Sequence, residues 1–103
     1  MRKAAKLIWS KKAKVSLKNI YHYIKKDSPQ AAEKVRTRLV ETAEHLLIFP
    51  EKFPKEELLK ETGANFRSIS VWHYKIVYEL YQDKIIVSNI FDTFQDPEKL
   101  KDL

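Results

Sequence analysis

Phe66-Arg67-Ser68-Ile69-Ser70-Val71-Trp72-His73-Tyr74-Lys75-Ile76-Val77-Tyr78-Glu79-Leu80-Tyr81-Gln82-Asp83-Lys84-Ile85-Ile86-Val87-Ser88-Asn89-Ile90-Phe91 is the stretch that settles the architecture. Its residues follow a period of two and are rich in β-branched and aromatic types, the pattern of strands buried on one side. Two interruptions, Trp72-His73 and Gln82-Asp83, are short enough for two-residue hairpin loops. The stretch therefore predicts three antiparallel strands, 66–71, 74–81 and 84–91, joined as a meander. With both loops two residues long, Val71 opposes Tyr74, Ile69 opposes Ile76, Tyr78 opposes both Arg67 and Val87, and Leu80 opposes Ile85.

Directly opposed residues share a face. One face then carries Ile69, Val71, Tyr74, Ile76, Tyr78, Leu80, Ile85, Val87 and Phe91, and must pack on other elements. Arg67 and Asn89 are its polar exceptions, expected near an edge. The other face carries Phe66, Ser68, Ser70, Lys75, Val77, Glu79, Tyr81, Ile86, Ser88 and Ile90. An antiparallel sheet commonly leaves one face wet, so this mixture reads either as ordinary exposed sheet or as a binding face centred on Lys75, with His73 in the turn beside it.

Upstream, the period changes to that of helices. Ser10 is placed to cap a helix whose apolar stripe is Ala13, Leu17, Ile20, Tyr21 and Ile24, running to about Lys26. Ser28 caps the next, with Pro29 in the first helical position, where its missing N–H costs little. Ala32, Val35, Leu39, Ala43 and Leu46 form that helix's buried stripe, and Pro50 stops it. The link Lys26-Asp27-Ser28 is so short that the helices must form an antiparallel hairpin. Lys6-Leu7-Ile8-Trp9 reads as a short first strand. Glu51 to Asn65 is a charged connector in which Glu56-Glu57-Leu58-Leu59-Lys60 fits a helical turn or an extended segment equally. The fold class is α+β: an N-terminal strand, a helical hairpin, then a three-stranded meander with the helices on one face. At 103 residues it is a single domain.

The net charge of +6 is unevenly spread. Residues 1–38 hold twelve Lys/Arg and two acidic residues, a balance of +10, while residues 39–103 carry −4. Such a basic half suits a polyanion or an acidic protein, or is simply a solvated helix face. Lys11, Lys12 and Lys14 lie in the first helix's first turn, where the helix dipole already presents positive charge. Each is unfavourable there by about 0.3–1 kcal/mol if fully felt, so folding alone gives no reason for lysine. The chain has no cysteine, which fits a reducing compartment. No apolar run approaches the roughly 18 residues of a membrane span, and no signal-peptide pattern is legible, so the expected home is the cytoplasm.

His22, His45 and His73 lack the spacing of a metal site. One glycine cannot make a phosphate loop, and no cofactor is expected. What remains is basic and aromatic chemistry around Arg67, His73, Lys75, Tyr74, Tyr78 and Tyr81, suited to gripping phosphates or stacking on bases.

The order of these elements, with Ser28-Pro29-Gln30-Ala31-Ala32 opening the second helix and Phe49-Pro50 after it, resembles the toxins of the RelE/ParE superfamily. So do Phe66-Arg67-Ser68 and Tyr74-Lys75-Ile76-Val77-Tyr78, the latter similar to a Tyr-Arg-x-x-Tyr strand with Lys75 in the arginine position. The ending Ile90-Phe91-Asp92-Thr93-Phe94-Gln95-Asp96-Pro97 is similar to an aspartate-threonine-arginine-glutamine-asparagine-proline tail, with Phe94 and Asp96 standing for arginine and asparagine. The likeness covers nearly the whole chain.

This resemblance implies a growth-inhibiting toxin neutralised by a cognate antitoxin protein. One branch of the superfamily cleaves messenger RNA in the ribosome, using lysines, arginines and often a C-terminal tyrosine or histidine. The other poisons DNA gyrase without nuclease activity. On the nuclease reading Lys75 and Arg67 would be the catalytic cations. His73, Ser68, Tyr78, Phe94 and the lysines Lys11, Lys12 and Lys14 would be binding residues on either. Ser68 and Phe94 stand where the nuclease branch has lysine and arginine, and Lys75 lacks arginine's bidentate fork. The gyrase-directed branch is therefore expected, with a ribosome-dependent nuclease or an inactive antitoxin-binding module as alternatives.

Overall fold

The computed structural model describes residues 4, 6–48, 50 and 63–94. The open choice at Glu56-Glu57-Leu58-Leu59-Lys60 and the tail likeness at Gln95-Asp96-Pro97 lie outside the described residues. The elements are β1 (Lys6–Trp9), α1 (Lys11–Lys25), α2 (Pro29–His45), β2 (Phe66–Val71), β3 (Tyr74–Tyr81) and β4 (Lys84–Asp92). They form one sheet of order β1-β4-β3-β2, with β1 parallel to β4 and the other pairs antiparallel.

Both helix starts follow from their capping serines. Ser10 Oγ accepts from Ala13 N at 3.0 Å, and Ser28 Oγ accepts from Ala31 N at 3.1 Å, each pairing an amide that the first turn leaves without an intrahelical acceptor. Ser10 also joins helix to sheet: its hydroxyl donates to Ser88 O at 2.9 Å and its amide to Val87 O at 3.0 Å. The apolar stripes turn inward as their spacing requires, except at Tyr21, expected in the buried stripe of α1, which packs against Arg36 of α2 instead. Ala13, Leu39, Ala43, Val71, Tyr74, Ile76, Val87 and Ile90 form the main core, flanked by Leu17, Ile20, Ile24 and Val35. Leu46, Tyr78 and Ile85 form a second cluster beneath the end of α2.

The β2–β3 register is the one the loop length dictates, from Val71 opposite Tyr74 to Arg67 opposite Tyr78. The β3–β4 register starts as expected, with Leu80 opposite Ile85 and Tyr78 opposite Val87, then shifts by one residue between Val77 and Tyr78. A bulge at Ser88 puts two residues of β4 against one of β3. Beyond it the faces expected from strict alternation are exchanged. Ile90, expected on the wet face, enters the main core opposite Ile76, whereas Phe91, expected in the core, packs on the opposite face with Phe66 against Val77. Val77 is fully buried there rather than wet. Asn89 is also corrected: it is 5% exposed, and its Oδ1 accepts from Ser16 Oγ on α1 and from Ile90 N at 2.8 Å.

Among the described residues, two other than glycine hold a positive φ, Trp72 at 55° and Gln82 at 57°, each the first residue of a hairpin loop. A side chain in this left-handed region crowds its own backbone, at a cost of roughly 1–2 kcal/mol. Neither glutamine nor tryptophan is the glycine, asparagine or aspartate that such a slot normally selects.

Candidate functional site

The β2–β3 loop and the end of β4 meet at one corner of the sheet. There the carbonyl of His73 accepts two bonds from Thr93, from its amide and its hydroxyl, each 2.7 Å long. Phe94 N donates to Asp92 Oδ1 at 3.0 Å. His73 stacks on Phe94 with ring centroids 4.7 Å apart and leans on Tyr74 at 4.2 Å. Its Nε2 lies 4.0 Å from Asp92 Oδ1. Burial, and then the Asp92 carboxylate, push the Tyr74 phenol above its usual pKa. Asp92-Thr93-Phe94 therefore clamps the Trp72-His73 loop in place.

The residues singled out from the sequence do not converge here. Lys75 is half-buried between Ser70 and Phe91, on the face away from the helices, with Ser68 one pleat along on the same face. Arg67 points to the helix side, opposite Tyr78. The two candidate catalytic cations thus lie on opposite faces of the sheet. Tyr78 is fully buried and donates its hydroxyl to Pro50 O at 3.1 Å. Burial drives its pKa up to about 12 against the opposing effect of Arg67. It is a core residue, which corrects its assignment as a binding residue. His73 and Phe94 do come together. Lys11, Lys12 and Lys14 are exposed in the first turn of α1, which holds no acidic residue.

Three features were not found in the sequence. Trp72, at the tip of the clamped loop, is 56% exposed. Beside it a groove of about 410 Å³ is lined by Trp72 and by Glu33, Lys34, Thr37, Arg38 and Glu41 of α2. The signal for Trp72 was its place in a two-residue loop, a slot that normally selects glycine, asparagine or aspartate. The helical hairpin is also fastened by a cluster across its outer side. Arg36 grips both oxygens of Glu33 at 2.6 and 2.8 Å and lies over the Tyr21 ring at 4.7 Å. A bond from Tyr21 raises that phenol's pKa and lowers the Glu33 carboxyl's. Asn89 with Ser16 is the third.

Among the described residues no group of three or more His, Cys, Asp or Glu is placed to hold a metal, and no helix is long and apolar enough to cross a membrane.

The family model for the "ParE toxin of type II toxin-antitoxin system, parDE" matches residues 7–97. No curated protein matches the chain. Among solved structures, the "Chromosomal ParDE TA system from P. aeruginosa" superposes with a TM-score of 0.69 at 22% identity, covering 84% of this chain and 94% of that one. At that identity the superposition speaks for the fold. Fold and family match together define a toxin of the RelE/ParE superfamily. Within it, the chain belongs to the ParE toxin family, the toxin half of a type II toxin–antitoxin system, and has a cognate antitoxin as partner.

Proposed function

We propose that this toxin arrests growth by protein–protein contact with DNA gyrase in the cytoplasm, and not by cutting messenger RNA. The observation carrying this reading is the separation of its cations. A nuclease must surround one scissile phosphate with donors that strengthen as charge develops in the transition state, and loss of a single donor costs on the order of 10²–10³ in rate. Here Lys75 and Arg67 lie on opposite faces of the sheet. Ser68 is neutral, and Phe94 offers a ring to His73 in the position where the nuclease branch has arginine.

The test is induced expression of the intact chain. Growth arrest with a DNA-damage response, together with inhibited supercoiling by purified gyrase, is the expected result. Arrest with rapid codon-positioned cleavage of messenger RNA, abolished by Lys75→Ala, would move the protein to the nuclease branch.

A further inference from the structure

We infer that the outward face of α1 binds the phosphate backbone of a nucleic acid duplex, here the DNA on which gyrase works, with Lys11, Lys18 and Lys25 as its central row of cations. The choice of DNA over RNA rests on the gyrase reading, whereas the surface is read from α1 alone.

The helix carries five lysines and no aspartate or glutamate, and Lys26 caps its end. Its inward side is Ala13 with Leu17, Ile20 and Ile24, packed on the main core. At 3.6 residues per turn, Lys11, Lys18 and Lys25 fall within about 40° of one another, on the side opposite that stripe. They recur every seven residues, so they rise at intervals of about 10.5 Å along a row about 21 Å long. All three are exposed, and exposed Lys14 and His22 flank them. Lys25 also lies over the Tyr21 ring at 5.7 Å, which steadies the far end of the row.

Folding gives no reason for this row. The first-turn lysines oppose the helix dipole, and Lys14 and Lys18 are like charges four residues apart, a pairing that destabilises a helix. The neighbouring helix is built otherwise: α2 sets Glu33, Glu41 and Glu44 among Lys34, Arg36 and Arg38, and ties Arg36 to Glu33. A face of one sign, kept against the preference of its own helix, fits a partner of continuous opposite charge.

Duplex nucleic acid is such a partner, with one phosphate charge per roughly 1.7 Å of its axis. A single strand would be held partly by rings stacked on its bases, yet no Phe, Tyr or Trp stands in the row. Tyr23, 67% exposed, lies about 120° round the helix from Lys11. An acidic polypeptide is drawn by the same charge, but Val15, 49% exposed, is the one large apolar side chain here on which it could anchor. Contacts to phosphates alone fix position and not sequence, so binding should be indifferent to sequence and steeply dependent on salt.

The experiment titrates the free, full-length toxin with a short DNA duplex of mixed sequence, with the RNA duplex of the same sequence and with one DNA strand alone, each at several salt concentrations. Lys11→Gln/Lys18→Gln is compared with Lys34→Gln/Arg38→Gln, which removes equal charge from α2. The α1 pair is expected to bind duplex DNA about tenfold or more weakly, and to lower the slope of log affinity against log salt by about two. The α2 pair should change affinity by less than about threefold, because salt screens charge that touches no phosphate. Both pairs should melt close to the native chain, as exposed substitutions do. Equal losses in the two pairs would overturn the surface and leave only attraction by net charge. A native chain that prefers the RNA duplex or the single strand would also overturn it. Duplex affinity untouched in the α1 pair, with antitoxin affinity reduced, would give the face to protein. Supercoiling by purified gyrase keeps the two readings apart: duplex binding through α1 with gyrase left active keeps the surface and removes the gyrase reading, and inhibition without duplex binding does the reverse.

Discussion

The imidazole of His73 lies on the ring of Phe94, with centroids 4.7 Å apart and planes 10° from parallel. Phe94 is nonetheless 83% exposed, so it covers the histidine from one side and meets solvent on the other. Such a ring pair is worth roughly 0.5–1.5 kcal/mol beyond its buried area, and exposure keeps this one near the lower end. Its effect is mainly positional, holding the end of β4 against the hairpin loop. Phe94→Ala is expected to cost less than about 1 kcal/mol, while the His73 ring protons lose their ring-current shift in the NMR spectrum. A much larger cost would make Phe94 a core residue.

Lys75 and Ile76 are neighbours in β3 on opposite faces, one half-buried and one with no exposure at all. Ile76→Ala should lower the unfolding free energy by roughly 2–5 kcal/mol, through lost transfer energy and the cavity left in the main core. Lys75→Ala should cost about 1 kcal/mol or less, since partly exposed side chains rarely do more. Urea denaturation of the two variants measures both. Equal losses would mean that the faces have been assigned wrongly.

Asn89 satisfies two donors at once, the part-buried Ser16 hydroxyl and the buried Ile90 amide. Replacing it with alanine leaves both without their acceptor, and an orphaned buried polar group costs roughly 1–3 kcal/mol. Asn89→Ala is therefore expected to destabilise by at least about 2 kcal/mol, and Ser16→Ala by less, because it removes a donor and leaves the Asn89–Ile90 bond in place. A double-mutant cycle on thermal unfolding would expose the coupling. Additive losses would count against it.

Tyr78 gives a pH dependence of known sign. Its phenol keeps its proton to about pH 12 in the folded chain and releases it near 10 when unfolded. Below pH 10 both states hold the proton and stability is unaffected. Between the two values the folded state binds more protons, so stability falls as pH rises, by roughly 1.4 kcal/mol per pH unit at most. Tyr78→Phe should be less stable at neutral pH, by about 1 kcal/mol for the lost bond to Pro50 O, and lose less between pH 10 and 12. Parallel native and variant curves across that window would refute the assignment.

The +10 balance of residues 1–38 predicts how the antitoxin arrives. Opposite charge steers encounter more than it holds a complex, and salt screens it. Raising ionic strength from low to high should slow association by about tenfold or more and change dissociation little. Stopped-flow mixing at several salt concentrations reads both, and a salt-independent association rate would leave those lysines without an electrostatic role.

Much of this molecule was legible because it depends on local rules. Ser10 and Ser28 cap their helices in any context that lets them start there. The Trp72-His73 and Gln82-Asp83 loops fix which residues oppose one another for as long as the alternation holds. From loop length alone the β2–β3 register follows completely, and the β3–β4 register follows from Tyr81 back to Tyr78. Lys75 and Ser68 were correctly placed on the face away from the helices, and Arg67 toward them.

Tertiary structure decided the rest, for identifiable reasons. The bulge at Ser88 adds a residue without any composition signal of its own, and one extra residue is enough to exchange Ile90 with Phe91 across the sheet. Asn89 looked like an edge residue because its partner, Ser16, lies on an element 73 positions away. Tyr78 looked like a binding residue because a phenol serves as well in a core as on a surface. Only the Pro50 carbonyl and the packing of Leu46 and Ile85 decide between them. The order of the sheet was beyond local patterns too, since nothing within Lys6–Trp9 states that it pairs in parallel with β4. Sequence determined the elements, the sign of each half and the family, because propensity, charge and motif order are properties of the chain itself. Which side chains stand together, above all His73 on Phe94 and Trp72 beside α2, was fixed only when distant segments met.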